Sequence, residues 1–325
     1  GTMKNKIAVI AALIVGATSS AVSNADEIIL EWEINQYAAF STFSGTGAFP
    51  DGPINSDYAN PSTTTPPSDV LPGSPTFPAI TGDTWLNWGV ANDSNLANSQ
   101  LFITAVSDPA AGCDAGDVAG DGSSVCGGVE GVSVTTNGAA VDTLVYNHLN
   151  NDLTAQSDEL VSGTISGRVD LFADVIDDSG LEFLFSDYAT YSFDFAETSN
   201  EATPCAVDLG PDCADILGIY SPDLQFNGEG EDFVAFFSDT ISIDGYGSYL
   251  IVVELNNLQE LDDGFCPIPQ DAAEDTPCVG LVTEEGLLNS FISNIRIVAV
   301  PAPAVPALLG LGLLALFGVR RKIAS

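Results

Sequence analysis

Apolar and polar residues alternate with a period of two along most of the chain, which is the pattern of strands with one buried face. The segment IILEWEI (28–34) opens the first strand candidate. TWLNWGV (84–90) and SQLFITAVS (99–107) supply the next two. GVSVTTNGAAVDTLVYNHLN (131–150) reads as two strands paired around Asn137-Gly138, a dipeptide that favours tight hairpin turns. VSGTISGRVDLFADVI (161–176) alternates over its middle, and LEFLFSDYATYSFDFAE (181–197) predicts two strands with a bend near Asp187. DLQFN (223–227) is followed by DFVAFFSDTISIDGYGSYLIVVELNNL (232–258), a hairpin with a Gly-rich turn. LLNSFISNIRIVAV (287–300) offers a last strand. About ten strands at this spacing predict an all-β fold, a β-sandwich of jelly-roll type.

Two stretches break the pattern at the ends. Lys4 and Lys6 precede an apolar run, IAVIAALIVG (7–16), and small residues follow up to Ala25. That is the layout of a secretory signal peptide with a two-residue leader, forming a helix over 1–25 and cleaved after Ala25. The run is shorter than the ~20 residues that span a bilayer. At the other end, Val300, Pro301, Ala302, Pro303 and Ala304 break the last strand, and an apolar stretch, 305–319, leads to Arg320, Arg321 and Lys322. A proline hinge, an apolar helix and a basic cluster form a sorting anchor over 300–325, with the basic cluster on the cytoplasmic side. A plain transmembrane helix is the competing reading, and both place the intervening chain outside the cell.

The remainder divides into residues 26–83, a strand plus a loop, and the sandwich ectodomain, 84–299. Eight of the 18 prolines lie between 46 and 83, with a Ser/Thr cluster, so this stretch reads as an extended loop that forms no central strand.

Charge narrows the partners. Between residues 26 and 319 only Arg168 and Arg296 oppose 45 acidic residues, a balance of −43. That field repels nucleic acid and anionic headgroups, so nucleic acid is excluded and the membrane is contacted only through the anchor. It attracts hard divalent cations, Ca²⁺ above all. A solvated acidic surface is the bland alternative. The candidate calcium ligands are Glu197, Asn200, Asp212 and Asp215, and separately Asp114, Asp117 and Asp121 in a Gly-rich loop whose spacing is not that of an EF-hand. The six cysteines suit an oxidising compartment and allow fifteen connectivities. Sequential pairing, Cys113–Cys126, Cys205–Cys213 and Cys266–Cys278, is the simplest, because each pair closes a short loop. Metal binding by the cysteines is the rival.

Catalytic motifs are missing. The sequence has no GxSxG, HExxH, P-loop or GxGxxG, and a single histidine, His148. Trp32, Trp85 and Trp88 could stack on sugar rings, although aromatics in strands more often build core.

The order of several short motifs resembles a known family. Trp88-Gly89 precedes Ser99-Gln100-Leu101. Asn147-His148-Leu149-Asn150-Asn151 follows a strand. Phe195 to Asn200 (FAETSN) leads to Cys205 and then to Asp212-Cys213-Ala214-Asp215-Ile216. This is similar to the THxN family of PEP-CTERM sorting-domain proteins, whose anchor, in its VPxPA-type variant, is read by exosortases. Asn147 stands where the family name has Thr, Ser199 where Pro is expected, and Ala302 where the anchor motif has Glu. The resemblance implies motif positions at His148, Asn150, Glu197 and Asn200, sorting positions at Pro301, Pro303, Arg320 and Arg321, and an exosortase-type enzyme as partner. It supplies no active site. Residues two apart on a strand share a face, so His148 and Asn150 are expected to pin a loop through backbone hydrogen bonds.

The leading expectation is therefore an exported, non-enzymatic protein of the outer surface, or of the biofilm and exopolysaccharide matrix, of a Gram-negative-type bacterium, with polysaccharide as a candidate partner. Self-association into a filament or coat through an unpaired edge at 28–34 is the second reading. A carbohydrate-active enzyme is the third.

Overall fold

Fourteen strands are found among the described residues of the computed structural model, which are 28–45, 84–88, 99–106, 127–151, 160–174, 181–196, 214–227, 234–261, 263–268 and 278–301. In chain order they are β1 (Glu31–Gly45), β2 (Trp85–Trp88), β3 (Ser99–Ala105), β4 (Gly128–Thr135), β5 (Val141–Leu149), β6 (Leu160–Ala173), β7 (Glu182–Ala196), β8 (Asp215–Tyr220), β9 (Gln225–Asn227), β10 (Val234–Ile243), β11 (Gly247–Asn256), β12 (Gln259–Leu261), β13 (Cys278–Thr283) and β14 (Leu288–Val300). They form two seven-stranded antiparallel sheets. The first runs β12-β13-β8-β7-β6-β1-β4 and the second β2-β3-β5-β14-β11-β10-β9. Together they make a β-sandwich, and the chain crosses between its layers repeatedly. Signal segment, Pro-rich loop and C-terminal anchor fall outside the described residues, as do the Cys113–Cys126 and Cys205–Cys213 pairs.

The alternation places the core as expected. On β14, Phe291, Ser293, Ile295 and Ile297 face inward, and all four are buried. On β7 the odd-numbered Tyr191, Phe193 and Phe195 do the same. Two apolar clusters result. One is built around Phe40, Leu144, Phe193 and Phe291 and the other around Trp32, Ile34, Leu171 and Tyr249. Trp32 reaches across the layers to meet Tyr249 edge-on at 4.9 Å. Its indole Nε1 donates to Thr136 Oγ1 at 2.9 Å, so the buried ring leaves no polar atom stranded.

Three expectations fail on strand pairing. First, Asn137-Gly138 does not close a hairpin. β4 pairs with β1 in the first sheet, whereas β5 pairs with β3 and β14 in the second. Asn137 does take the left-handed conformation its sequence favours (φ 59°). The turn instead passes between layers, where Asn137 N donates to Ile297 O (2.8 Å) and Asn137 Oδ1 accepts from Ala299 N (3.1 Å). Local turn chemistry held, but tertiary pairing with longer strands chose the partners. Second, 182–196 is one strand. A register shift opposite Leu171–Phe172 absorbs the irregularity, and Asp187 stays in register with Val169. Third, β1 is no edge. It lies between β6 and the outer strand β4, so the filament reading loses the feature that motivated it and the sandwich includes residues before 84. The outer strand there is β4, where Glu130 and Gly131 (φ 69°) oppose Asn35 in a bulge. A bulge of this kind blunts an edge against further pairing.

β8, β12 and β13 were not foreseen. β8 and β13 need close approach: a Cβ on Gly218 would collide with the Phe265 carbonyl and one on Gly280 with that of Leu217. The Cys266–Cys278 bridge, expected from sequence, holds the 263–268 segment against β13. Its twelve-residue separation corresponds to about 2–3 kcal/mol of stabilisation. Changing both cysteines to serine should lower the thermal midpoint by several degrees. A scan of that variant beside the parent, without reductant, checks it.

Candidate functional site: a buried polar knot between the sheets

His148 lies on β5, near the middle of the second sheet, on the face that also carries Leu144 and Tyr146. It is fully buried. Its ring stacks on Trp88 of β2 (5.6 Å, 11°) and meets the edge of Phe195 from the opposite sheet (5.0 Å, 83°). Nδ1 lies 2.9 Å from the Thr283 hydroxyl on β13. That hydroxyl donates to the Asp215 carbonyl on β8 (3.1 Å). Its single hydrogen is thereby committed, so it accepts from Nδ1–H, and the tautomer is fixed. The histidine thus bolts the second sheet to the first.

Asn150 completes the knot. Its Nδ2 donates to Thr283 O (3.1 Å), its backbone N donates to Leu287 O (3.1 Å), and its carbonyl accepts from Gly286 N (2.8 Å). The turn between β13 and β14 is therefore held from both sides. Asn151 N donates to Ser99 Oγ (3.2 Å), and Ser99 Oγ donates to Asn151 O (3.1 Å), which closes a clasp between the start of β3 and the end of β5. Thr283 faces Asp215 directly in the β8–β13 register, and the Asp215 side chain is fully buried beside it.

Burial alone drives the His148 pKa down from its usual value to about 3. At neutral pH the ring is uncharged and closed to solvent. A general base must reach a substrate proton and titrate near working pH, and this imidazole does neither. Its Nε2 and the Asn150 Oδ1 are buried without hydrogen-bond partners. Among the described residues no three His, Cys, Asp or Glu side chains gather as a metal cluster. Of the proposed calcium ligands, only Asp215 lies within the described residues; Glu197, Asn200, Asp212, Asp114, Asp117 and Asp121 lie outside them. Pro301 is described and exposed; Pro303, Arg320 and Arg321 are not. Trp32 and Trp88 are core, not a sugar platform.

The structure brings together residues from five separate sequence motifs. His148, Asn150 and Asp215 meet at Thr283, Trp88 and Phe195 pack on the His148 ring, and Ser99 bonds the neighbouring Asn151. Sequence reasoning missed Thr283 itself. Its only signal is position: it ends the inward series Val279, Leu281, Thr283, where a hydroxyl among apolar neighbours needs partners.

A second polar cluster lies on the face of the first sheet turned away from the core. The Arg168 guanidinium pairs with Asp170 (2.9 Å) and sits over the Tyr37 ring (4.9 Å). Ser186 Oγ donates to Asp170 Oδ1 (2.6 Å), and Tyr37 OH donates to Glu130 Oε1 (2.6 Å). Burial, then the Glu130 hydrogen bond, raise the Tyr37 pKa. Burial raises that of Asp170 against the opposing pull of Ser186 and Arg168.

No protein-family model matches the chain, and no curated protein does. Among the described residues, no helix is long and apolar enough to cross a membrane.

Proposed function

We propose that this chain is an exported, surface-anchored, non-enzymatic protein of the THxN PEP-CTERM type, serving the cell envelope or exopolysaccharide matrix of a Gram-negative-type bacterium. The observation that carries the reading is the convergence of five motif segments on the His148–Asn151 stretch and its partner Thr283. Motif residues selected for chemistry would face a cleft, whereas these face the core and join two sheets. Their spacing then serves to define a fold. The jelly-roll assignment belongs to the same proposal and draws on the repeated crossing of the chain between layers. Signal peptide, hinge, apolar stretch and basic cluster supply export and sorting, with an exosortase-type enzyme as partner. Ca²⁺ at Glu197, Asn200 and Asp212 belongs to the same proposal; Asp215, whose side chain is closed inside the core, is left out of that ligand set.

The test uses the full chain in a host that carries a matching sorting enzyme. External protease on intact cells should degrade the ectodomain. Arg320→Glu with Arg321→Glu should leave an unprocessed form in the membrane fraction. A chain that stays protected and cytosolic in intact cells would overturn the proposal.

A further inference from the structure

One side of the sandwich is closed over only part of its length. There the chain crosses from β8 to β9, the outer neighbours of β7 and β10. β8 pairs with β7 only from Ser192 to Ala196, and β9 pairs with β10 only from Val234 to Phe236. Beyond those points, residues 182–191 of β7 and 237–243 of β10 are paired on one side alone among the described residues. The two free runs belong to different sheets and lie at one opening. Tyr191 meets Phe237 there at 6.1 Å, and a single cavity is lined by Asp187 and Ala189 from β7 and by Phe237 from β10.

A row of unpaired N–H and C=O groups is a template for another strand. The outermost strands present little of it: β2 has four residues, β9 and β12 have three each, and β4 is bulged. The free runs of β7 and β10 are where this fold lies open to pairing, and both carry the same device. Asp187 Oδ1 accepts from the backbone N of Tyr188 (2.8 Å), and Asp239 Oδ1 accepts from that of Thr240 (2.7 Å). An amide committed to the preceding side chain is not offered to an incoming strand. By alternation Asp187 shares the core-facing side with Tyr191, and Asp239 shares it with Ala235 and Ile241, which are buried. Both aspartates are nevertheless exposed, so their charges stand in the mouth of the opening. Inward-pointing charge is one of the ways in which sheets guard an edge. Neither arginine of the ectodomain neutralises it, since Arg168 pairs with Asp170 and Arg296 with Glu254.

The occupant this opening fits is a second copy of the chain. Each copy offers one free run from each sheet, so a twofold pair joins β7 of one copy to β10 of the other twice and continues both sheets. The same symmetry brings four carboxylates together, which opposes the contact. We propose that the opening is a latent self-association surface, and that Asp187 and Asp239 keep copies apart by capping an edge amide and placing charge against the partner. The inference stands apart from the surface-sorting reading, since it uses no motif residue.

The test compares full chains in detergent by sedimentation velocity at neutral pH. Every variant carries the same ends, so a difference in mass reports the opening. Asp187→Ala with Asp239→Ala should sediment at twice the parental mass. Adding Thr240→Pro should restore the parental mass, because proline offers no N–H to a partner and is tolerated on an edge where that amide already bonds a side chain. Glu31→Ala with Asp142→Ala removes the same charge from exposed positions elsewhere and should leave the mass unchanged. All variants should keep a cooperative thermal transition. A double variant that sediments like the parent, association that survives Thr240→Pro, or equal association of the Glu31 and Asp142 control would each overturn the proposal.

Discussion

Replacing His148 with alanine will lower the unfolding free energy by about 3–4 kcal/mol, in the range of large-to-small changes at buried aromatic positions. The change removes the ring between Trp88 and Phe195 and the donor to Thr283. Phenylalanine keeps the shape and loses one hydrogen bond, so His148→Phe should cost only about 1 kcal/mol. The two variants separate packing from hydrogen bonding, and chemical denaturation at pH 7.5 measures both. Acid supplies an independent readout. With a folded pKa of about 3 against ~6.5 in the unfolded chain, the unfolded state binds the extra proton between those values. Stability therefore falls as pH drops through that window, by up to about 1.4 kcal/mol per unit. Above pH 6.5 His148 adds no slope. The parent should lose stability from pH 6.5 to 4 faster than His148→Phe, in which this proton uptake is absent. Parallel slopes would show that the ring is solvated.

How far the sequence carried this fold is clearest at individual residues. Period-two alternation placed nearly every long strand, because burial of one face is a local property of the pattern. Partner choice is not local. Asn137 adopts the conformation predicted for it, yet the strands it joins belong to different sheets, since β1 and β14 offered longer pairing. Asp187 looked like a break because a charge seldom lies mid-strand, but it sits where the layers part and water reaches it. His148 and Asn150 were singled out as polar residues sharing a face, and they share it. Their partner Thr283 lies more than 130 residues away in sequence, and no spacing rule reaches that far. Arg168 was visible only as one of two cations in an acidic chain. That Asp170, two positions on, would fold beside it on the same face follows from strand geometry, but its burial required the sheet around it.

Arg168 is also where charge has the greatest leverage. Arg168→Ala should cost about 3–5 kcal/mol at pH 7.5, because removing one member of a buried pair leaves the other charge uncompensated. Both side chains are largely buried, at 7% and 11% exposure. The Arg296–Glu254 pair is the control: the arginine is 44% exposed, and Arg296→Ala should cost less than about 1 kcal/mol. Replacing Arg168 and Asp170 together with leucine should cost less than Arg168→Ala alone, since no isolated charge remains. pH adds a sign test. Burial already raises the Asp170 pKa with Arg168 present, and without the guanidinium it must rise further. A group whose folded pKa lies above its unfolded value contributes stability at low pH that is lost as pH climbs through the folded pKa. The deficit of Arg168→Ala relative to the parent should therefore shrink between pH 7.5 and pH 5, as Asp170 takes up a proton and becomes neutral. Denaturant midpoints of both proteins across that range measure it. A deficit that holds constant with pH would mean that Asp170 turns out to water once its partner is gone, and that the cluster is held by the Tyr37 ring and Ser186 more than by the ion pair.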